Sequence, residues 1–317
     1  MNKKMLKAAS VLLVVGLALY LVGISASASK PKVMVNAATE ITYQAQDYAV
    51  QAGGVTEIKV ITRNMPVTVS PSNGDEITIR YYTADEDPYE VSLERGVLTL
   101  KYEKENLFSS GSWFTGSTIF NGFNQNPMVE VVVPKAFAGA LNLNTSNASV
   151  NVSGLTDSGD MTVVTSNGTV KLADLTAAQI RVTTSNSSLE LIDIHSSLVK
   201  ATTSNGRVNA EKLIVSGDVE LRSSNGSVSV RQAAAKERLT VNTSNGRVTV
   251  DQITANNIDL RSSNSGISGS VAGRRADYTI SSDTSNADNN LNSGGSGRCS
   301  LTVNTSNGAI DIRFLND

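Results

Sequence analysis

Residues 199–213 read Val-Lys-Ala-Thr-Thr-Ser-Asn-Gly-Arg-Val-Asn-Ala-Glu-Lys-Leu, and residues 239–253 read Leu-Thr-Val-Asn-Thr-Ser-Asn-Gly-Arg-Val-Thr-Val-Asp-Gln-Ile. Both carry Thr-Ser-Asn at the centre, with aliphatic or small apolar residues at alternate positions on either side. The same Thr/Ser-Ser-Asn triplet occurs nine times between residues 145 and 307, ending at Asn147, Asn167, Asn186, Asn205, Asn225, Asn245, Asn264, Asn286 and Asn307. Successive spacings are 20, 19, 19, 20, 20, 19, 22 and 21 residues. A fixed period of this size marks a repeat architecture, in which each unit buries its apolar face only against its neighbours.

With Asn as position zero, minus two is always Thr or Ser, and minus four and minus six are mostly aliphatic. Ser282 is the exception at minus four. This period-two alternation predicts a strand with one buried face. After Asn the parity slips, and aliphatics recur at plus three, plus five and commonly plus eight. The slip falls beside a frequent Gly at plus one (Gly168, Gly206, Gly226, Gly246, Gly308), which predicts a corner of positive φ. Each unit therefore reads as strand, corner, strand, corner. Two architectures accommodate it, a β-solenoid or a meander closed into a sandwich or barrel. The solenoid (parallel β-helix-like, about nine coils of 19–22 residues) is favoured, because it stacks like positions over one another. Stacking allows two roles for Asn. One is an interior ladder of side-chain amides at the ~4.8 Å strand spacing, and the other is a left-handed turn residue. Nine coils predict a rod on the order of 40 Å long.

Three segments follow. In residues 1–29, Lys3, Lys4 and Lys7 precede an uncharged run from Ala8 to Ser29, and Ala26-Ser27-Ala28 offers a cleavage pattern. The run reads as a signal peptide cleaved after Ala28, with an uncleaved N-terminal membrane anchor as the alternative, and both predict export. Residues 30–135 are a less regular β layer or cap, in which Ile58, Val60, Thr62, Asn64, Val67 and Val69 repeat the grammar of the later units. Residues 136–317 hold the regular repeats. With 27 basic and 29 acidic residues the chain carries no nucleic-acid footprint. The lone Cys299 makes no internal disulfide, so stability falls to the β core.

The cap contains one aromatic concentration. Between residues 106 and 127 lie Phe108, Trp113, Phe114, Phe120 and Phe123, four of the six Phe residues and the single Trp. These residues suit a loop folded back to cover one sheet or the solenoid end, or a loop that binds a partner or touches a membrane. The stretch from Asp288 to Gly297 reads as a surface excursion.

Little in the sequence points to catalysis. His195 is the sole histidine and falls at a predicted corner. A zinc site needs clustered His and Cys, and no cofactor motif is present. Asp283 and Asp288 lack the glycine-rich calcium repeat. The outward residues Arg181, Lys200, Glu220, Asn242 and Thr302 are chemically mixed, and the constant Ser at minus one is expected to bond the corner backbone.

Val67-x-Val-x-Pro-Ser-Asn-Gly-Asp-Glu-Ile-Thr-Ile79, then Val129-Glu-Val-Val-Val-Pro-Lys135, then the Thr-Ser-Asn units, all behind an export segment, resemble a bacterial family named "putative adhesin". That family consists of β-strand-repeat proteins and includes LiaG-like exported envelope proteins. The resemblance spans about residues 40 to 315 and defines no catalytic residue. It implies a non-enzymatic, extracytoplasmic protein that presents a rigid surface for adhesion or envelope organisation. Its expected partners are a cell-envelope component, a surface polymer or a protein, with membrane contact through the N-terminal segment if that is uncleaved. Two other readings are an envelope-stress sensory or regulatory protein acting through the 106–127 stretch and, more distantly, a carbohydrate-active solenoid enzyme.

Overall fold

The computed structural model describes residues 43–85, 87–103 and 127–317, together with the backbone of two antiparallel strands, Lys32–Val35 and Thr39–Thr42. Residues 1–29, read from the sequence as a signal peptide or anchor, and the residues Phe108, Trp113, Phe114, Phe120 and Phe123 lie outside these. The described chain is a β-solenoid of about eight turns, whose coils pair with one another in parallel.

Each coil has three sides, one more than the alternation predicts. The first side holds minus six and minus four, as in Val219–Ser223 stacked between Val199–Thr203 and Leu239–Thr243. The second holds plus three and plus five, where Val208, Val228 and Val248 lie in register. The third is short and holds plus eight to plus ten, with Leu175-Thr176-Ala177 on Ile194-His195-Ser196 and then on Leu213-Ile214-Val215. Aliphatics at minus six, minus four, plus three, plus five and plus eight point inward from all three sides and form one continuous core running from Val55 to Ile312. The parity slip after Asn is the Thr-Ser-Asn corner between the first and second sides, and the bend between the second and third sides is the physical cause of the further three-residue step from plus five to plus eight. A left-handed residue recurs there at plus seven: Asp174, Asp193, Lys212, Gln232 and Gln252, with φ between 53° and 55°, and Gly154 at 77°. The bend between the third side and the next coil absorbs the length variation. Two residues separate Ser196 from Val199 in a 19-residue coil, and three separate Val215 from Val219 in a 20-residue coil.

At the C-terminal end the coils are not stacked in sequence order. Cys299–Thr305 pairs with Asn257–Ser262 on one side and with Tyr278–Thr284 on the other. The chain therefore runs past the place of its last coil, lays down Tyr278–Thr284 at the extremity, and returns to insert residues 299–314 beneath it. The stretch expected to be a surface excursion has a structural task in this detour. Gly294 exchanges two backbone hydrogen bonds with Ile280 (2.8 and 2.9 Å). The Ser293 hydroxyl accepts from the Ser282 N–H (2.8 Å) and donates to the Ser282 carbonyl (3.1 Å). This return segment covers part of an edge that would otherwise present unpaired groups.

The opposite end is closed by antiparallel strands. Glu57–Ile61 and Val67–Ser72 form a regular coil under Ala140–Asn144 and Val150–Ser153. Beneath that coil lie Val97–Tyr102 and Val129–Pro134, still parallel to it. Tyr89–Glu94 then pairs antiparallel with Val97–Tyr102, and Glu76–Thr83 pairs antiparallel with both Val129–Pro134 and Gln44–Gln51.

Candidate functional site

The most repeated feature of the surface is the Thr-Ser-Asn corner between the first and second sides. Its Asn residues form the expected ladder on the outside of the rod rather than in its interior. All nine are exposed, because the corner turns position zero away from the core. Each Asn Nδ2 donates to the Oδ1 of the Asn in the adjoining coil: Asn147 to Asn64 (2.8 Å), Asn167 to Asn147 (2.7 Å), Asn186 to Asn167 (2.6 Å), Asn205 to Asn186, Asn225 to Asn205, Asn245 to Asn225 and Asn264 to Asn245 (each 2.7 Å). The ladder then follows space rather than sequence, with Asn307 donating to Asn264 (2.9 Å) and Asn286 to Asn307 (2.7 Å). Asn64, at the end of the motif in the cap, is the tenth rung. None of these asparagines has positive φ, so the alternative turn role is excluded.

The Thr or Ser at minus two faces inward and is buried at eight of the nine corners, Thr284 being half-buried. At six corners, those of Thr165, Thr203, Ser223, Thr243, Ser262 and Thr305, its hydroxyl both donates and accepts. Thr243 Oγ1 donates to the Gly226 carbonyl of the preceding coil (3.0 Å) and accepts from the Gly246 N–H of its own corner (3.1 Å). Thr203 does the same with the Ser187 carbonyl and the Gly206 N–H, each at 3.1 Å. A buried hydroxyl satisfied on both sides explains why only Thr or Ser stands here. The expectation for Gly at plus one is corrected. None of the five has positive φ, and the requirement is closeness between coils. A Cβ at Gly168, Gly206, Gly226 or Gly246 would lie 1.6–2.0 Å from a carbonyl oxygen of the coil below. Where Ser replaces Gly, its hydroxyl donates to the carbonyl of the preceding Asn, as Ser187 does to Asn167 and Ser265 to Asn245 (2.7 Å).

The Ser at minus one also departs from expectation. Its side chain is exposed and makes no corner bond; its carbonyl does that work, accepting from two N–H groups of the next coil. Ser146 O receives both Ser166 N (3.1 Å) and Asn167 N (3.0 Å). The corner thus presents an in-register ridge in which each of the nine Ser-Asn rungs offers a free hydroxyl and one amide N–H beyond the ladder bond, while Arg63 stands in the Ser position at the Asn64 rung. Its rungs are held from both sides, so the spacing is rigid.

The flanking faces carry mixed, exposed charge. Lys200 meets Glu220 (3.1 Å), which also pairs with Arg222, and Glu211 pairs with Arg231 across coils. Arg181, Asn242 and Thr302 share the outward rows of the first side. His195 is not at a corner but on the third side, half-exposed and 3.7 Å from Asp193. Its neighbour Ser196 donates to the Ala178 and Leu198 carbonyls (3.1 and 3.0 Å), so the two do not form a nucleophile–base pair. Beside them a shallow, mainly apolar groove passes Thr176, Ile214 and Ala234, with Ile214 the most exposed large hydrophobic among the described residues (56%). Among the described residues, Asp283 and Asp288 belong to no metal-binding cluster. The 106–127 stretch connects Tyr102 to Val129, the position filled in the adjoining coil by the five-residue corner Thr62–Pro66. At that corner Arg63 lies 5.1 Å over the Tyr102 ring, and Tyr102 packs edge-on against Tyr89 (5.6 Å).

No curated protein matches the chain. Among solved structures it is similar to a "putative adhesin" from Parabacteroides distasonis (10% identity, 85% of this chain and 97% of that one, TM-score 0.37). Another "putative adhesin", from Bacteroides fragilis, gives 12%, 85%, 97% and 0.32. A "putative cell adhesion protein" from Clostridium sporogenes gives 9%, 86%, 99% and 0.23. At these scores the argument for the fold rests on the strand register of the chain itself. The profile of the Toastrack family, DUF4097, matches residues 55–313, from the cap through the last coil, and the chain belongs to that family.

Proposed function

We propose that this protein is a non-enzymatic, exported β-solenoid that presents its long outer surface for adhesion or cell-envelope organisation. The observation that carries the reading is the exposed Ser-Asn ridge, ten Asn rungs long and locked in register by side-chain and backbone bonds. A rigid array of identical donors and acceptors suits many weak contacts with a repetitive surface polymer, where binding strength comes from multiplicity. The N-terminal lysines followed by an uncharged run from Ala8 to Ser29 support export. To test this, the purified chain is incubated with isolated bacterial envelopes and sedimented. Co-sedimentation that falls sharply when the Ser residues at minus one in five central coils become Glu, with the fold intact, supports the ridge as the contact surface. Co-sedimentation unchanged by those substitutions, or none at all, refutes it.

A second reading, partner recognition through the 106–127 stretch, is favoured by its replacing a five-residue corner at the end of the ladder. Trp113→Ser with Phe114→Ser abolishes envelope binding under that reading and leaves thermal stability unchanged. A fall in stability instead supports the covering role for these aromatics.

A further inference from the structure

Five of the ladder asparagines are followed by glycine: Asn167, Asn205, Asn225, Asn245 and Asn307. Asn-Gly is the dipeptide most prone to spontaneous deamidation, because glycine puts no side chain in the way of its own nitrogen. In that reaction the Gly backbone nitrogen gives up its proton and attacks the Asn Cγ. A new C–N bond closes a succinimide while the Cγ–Nδ2 bond breaks and ammonia leaves. Water then opens the ring to aspartate or isoaspartate. Other corners carry Ala or Ser at plus one, as at Ala148, Ser187, Ser265 and Ala287, but the backbone at these five stands too close to its neighbour for a Cβ. Gly is imposed by the coil below, where an added Cβ would strike a backbone carbonyl, and Asn is imposed by the ladder.

We propose that the corner itself guards these five steps, and that Asn73–Gly74 is the site of spontaneous deamidation among the described residues. At every laddered step the attacking nitrogen is already engaged. Gly168 N–H donates to Thr165 Oγ1 (3.0 Å), Gly206 to Thr203 (3.1 Å), Gly226 to Ser223 Oγ (2.9 Å), Gly246 to Thr243 (3.1 Å) and Gly308 to Thr305 (3.3 Å). Four of these glycines are buried and Gly226 is half-buried, so hydroxide has poor access to the proton. The electrophile is restrained as well, since each Asn amide donates to one neighbour and accepts from another. Its Cγ reaches the nitrogen only after both ladder bonds and the hydroxyl bond open together. Asn73–Gly74 has none of this. Both residues are exposed on the turn between Val67–Ser72 and Glu76–Thr83, and neither side chain nor Gly74 N–H makes a hydrogen bond. An axial ladder therefore does more than tie coils together; with the minus-two hydroxyl it keeps a labile sequence chemically intact on the surface.

The test is peptide mapping by mass spectrometry of the full chain aged in mildly alkaline buffer, folded and in denaturant, with aspartate and isoaspartate quantified at each Asn-Gly step. Asn73 is expected to convert at nearly the same rate in both states, and the five laddered steps at least about tenfold more slowly when folded. Laddered steps that convert as fast folded as denatured, or an Asn73 as protected as they are, overturn the proposal. Thr203→Val isolates the hydroxyl: Asn205 deamidation is expected to rise while Asn245 stays protected. An Asn205 as resistant as before removes the hydroxyl from the mechanism. If Thr203→Val fails to fold, the wild-type comparison of folded and denatured chains decides the matter alone.

Discussion

Replacing Gly226 with Ala separates two explanations of the corner glycine that predict opposite signs. The backbone at Gly226 is not left-handed, so conformational freedom alone makes alanine harmless. By restricting the unfolded chain, alanine would then stabilise the fold by about 0.4–1 kcal/mol. The packing explanation starts from distances. The new Cβ would sit 1.8 Å from the Gly206 oxygen and 2.4 Å from its carbon, where real contacts do not fall below 3.0 Å. Relieving a shortfall of about 1.2 Å pushes two coils apart at the point where the Asn225–Asn205 rung and the Asn225 N–H to Ser204 carbonyl bond join them. Overpacking costs about 1–3 kcal/mol and the two weakened bonds about 1 kcal/mol each, so a loss of about 3–5 kcal/mol is expected. Chemical denaturation of the full chain gives the magnitude, and amide exchange should place the loosening in the coils between residues 199 and 250. Unchanged or increased stability would refute the packing argument.

Other expectations follow from the same geometry. Asn225→Asp keeps the bond received from Asn245 but has no N–H for Asn205, so two oxygens face each other; a loss of about 1–2 kcal/mol in denaturation is expected. Lys212→Val forces a β-branched residue into φ 55° and should cost about 1–2 kcal/mol, whereas Lys212→Gly at the same bend should cost nothing or stabilise. Deleting residues 299–317 removes an interior coil rather than the last one, so amide protection of Tyr278–Thr284 should vanish; retained protection would mean that coil stacks without its neighbour. The Asp277 carboxylate is held below the ordinary aspartate range by the Arg274 N–H (2.9 Å) and then by the Arg274 guanidinium (3.3 Å). A depressed folded pKa means its contribution is present above the ordinary aspartate value and is lost as pH falls through the folded one. Exchange across residues 274–278 should accordingly quicken only in strongly acidic buffer.

The repeat made the solenoid legible, because the alternating aliphatics at Val199, Ala201, Val208, Ala210 and Leu213 specify buried faces directly. The Asn ladder was legible as a pairing, though not which way it faces, since nothing in Thr-Ser-Asn alone says which residue the corner turns outward. The third side was hidden in the three-residue step from plus five to plus eight. Apart from Gly154, its left-handed residues are Asp, Lys and Gln, none of which announces positive φ in the way Gly does. The inserted coil could not be read at all. Residues 299–314 carry the same grammar as every other unit, and identical surfaces stack in either order. Only the lengthened spacing around Asp288 to Gly297 hinted at a detour.

That inserted coil also allows the most direct test of the stacked, laddered architecture. With Cys299 changed to Ser, one variant carries cysteines at positions 264 and 307 and another at 264 and 286. Neighbouring rungs lie at the ~4.8 Å strand spacing, within disulfide reach, whereas rungs two apart exceed the ~7 Å limit. The account predicts that mild oxidation cross-links 264 to 307 and leaves 264 and 286 unlinked. Linkage of 264 to 286 in place of 264 to 307 would contradict it.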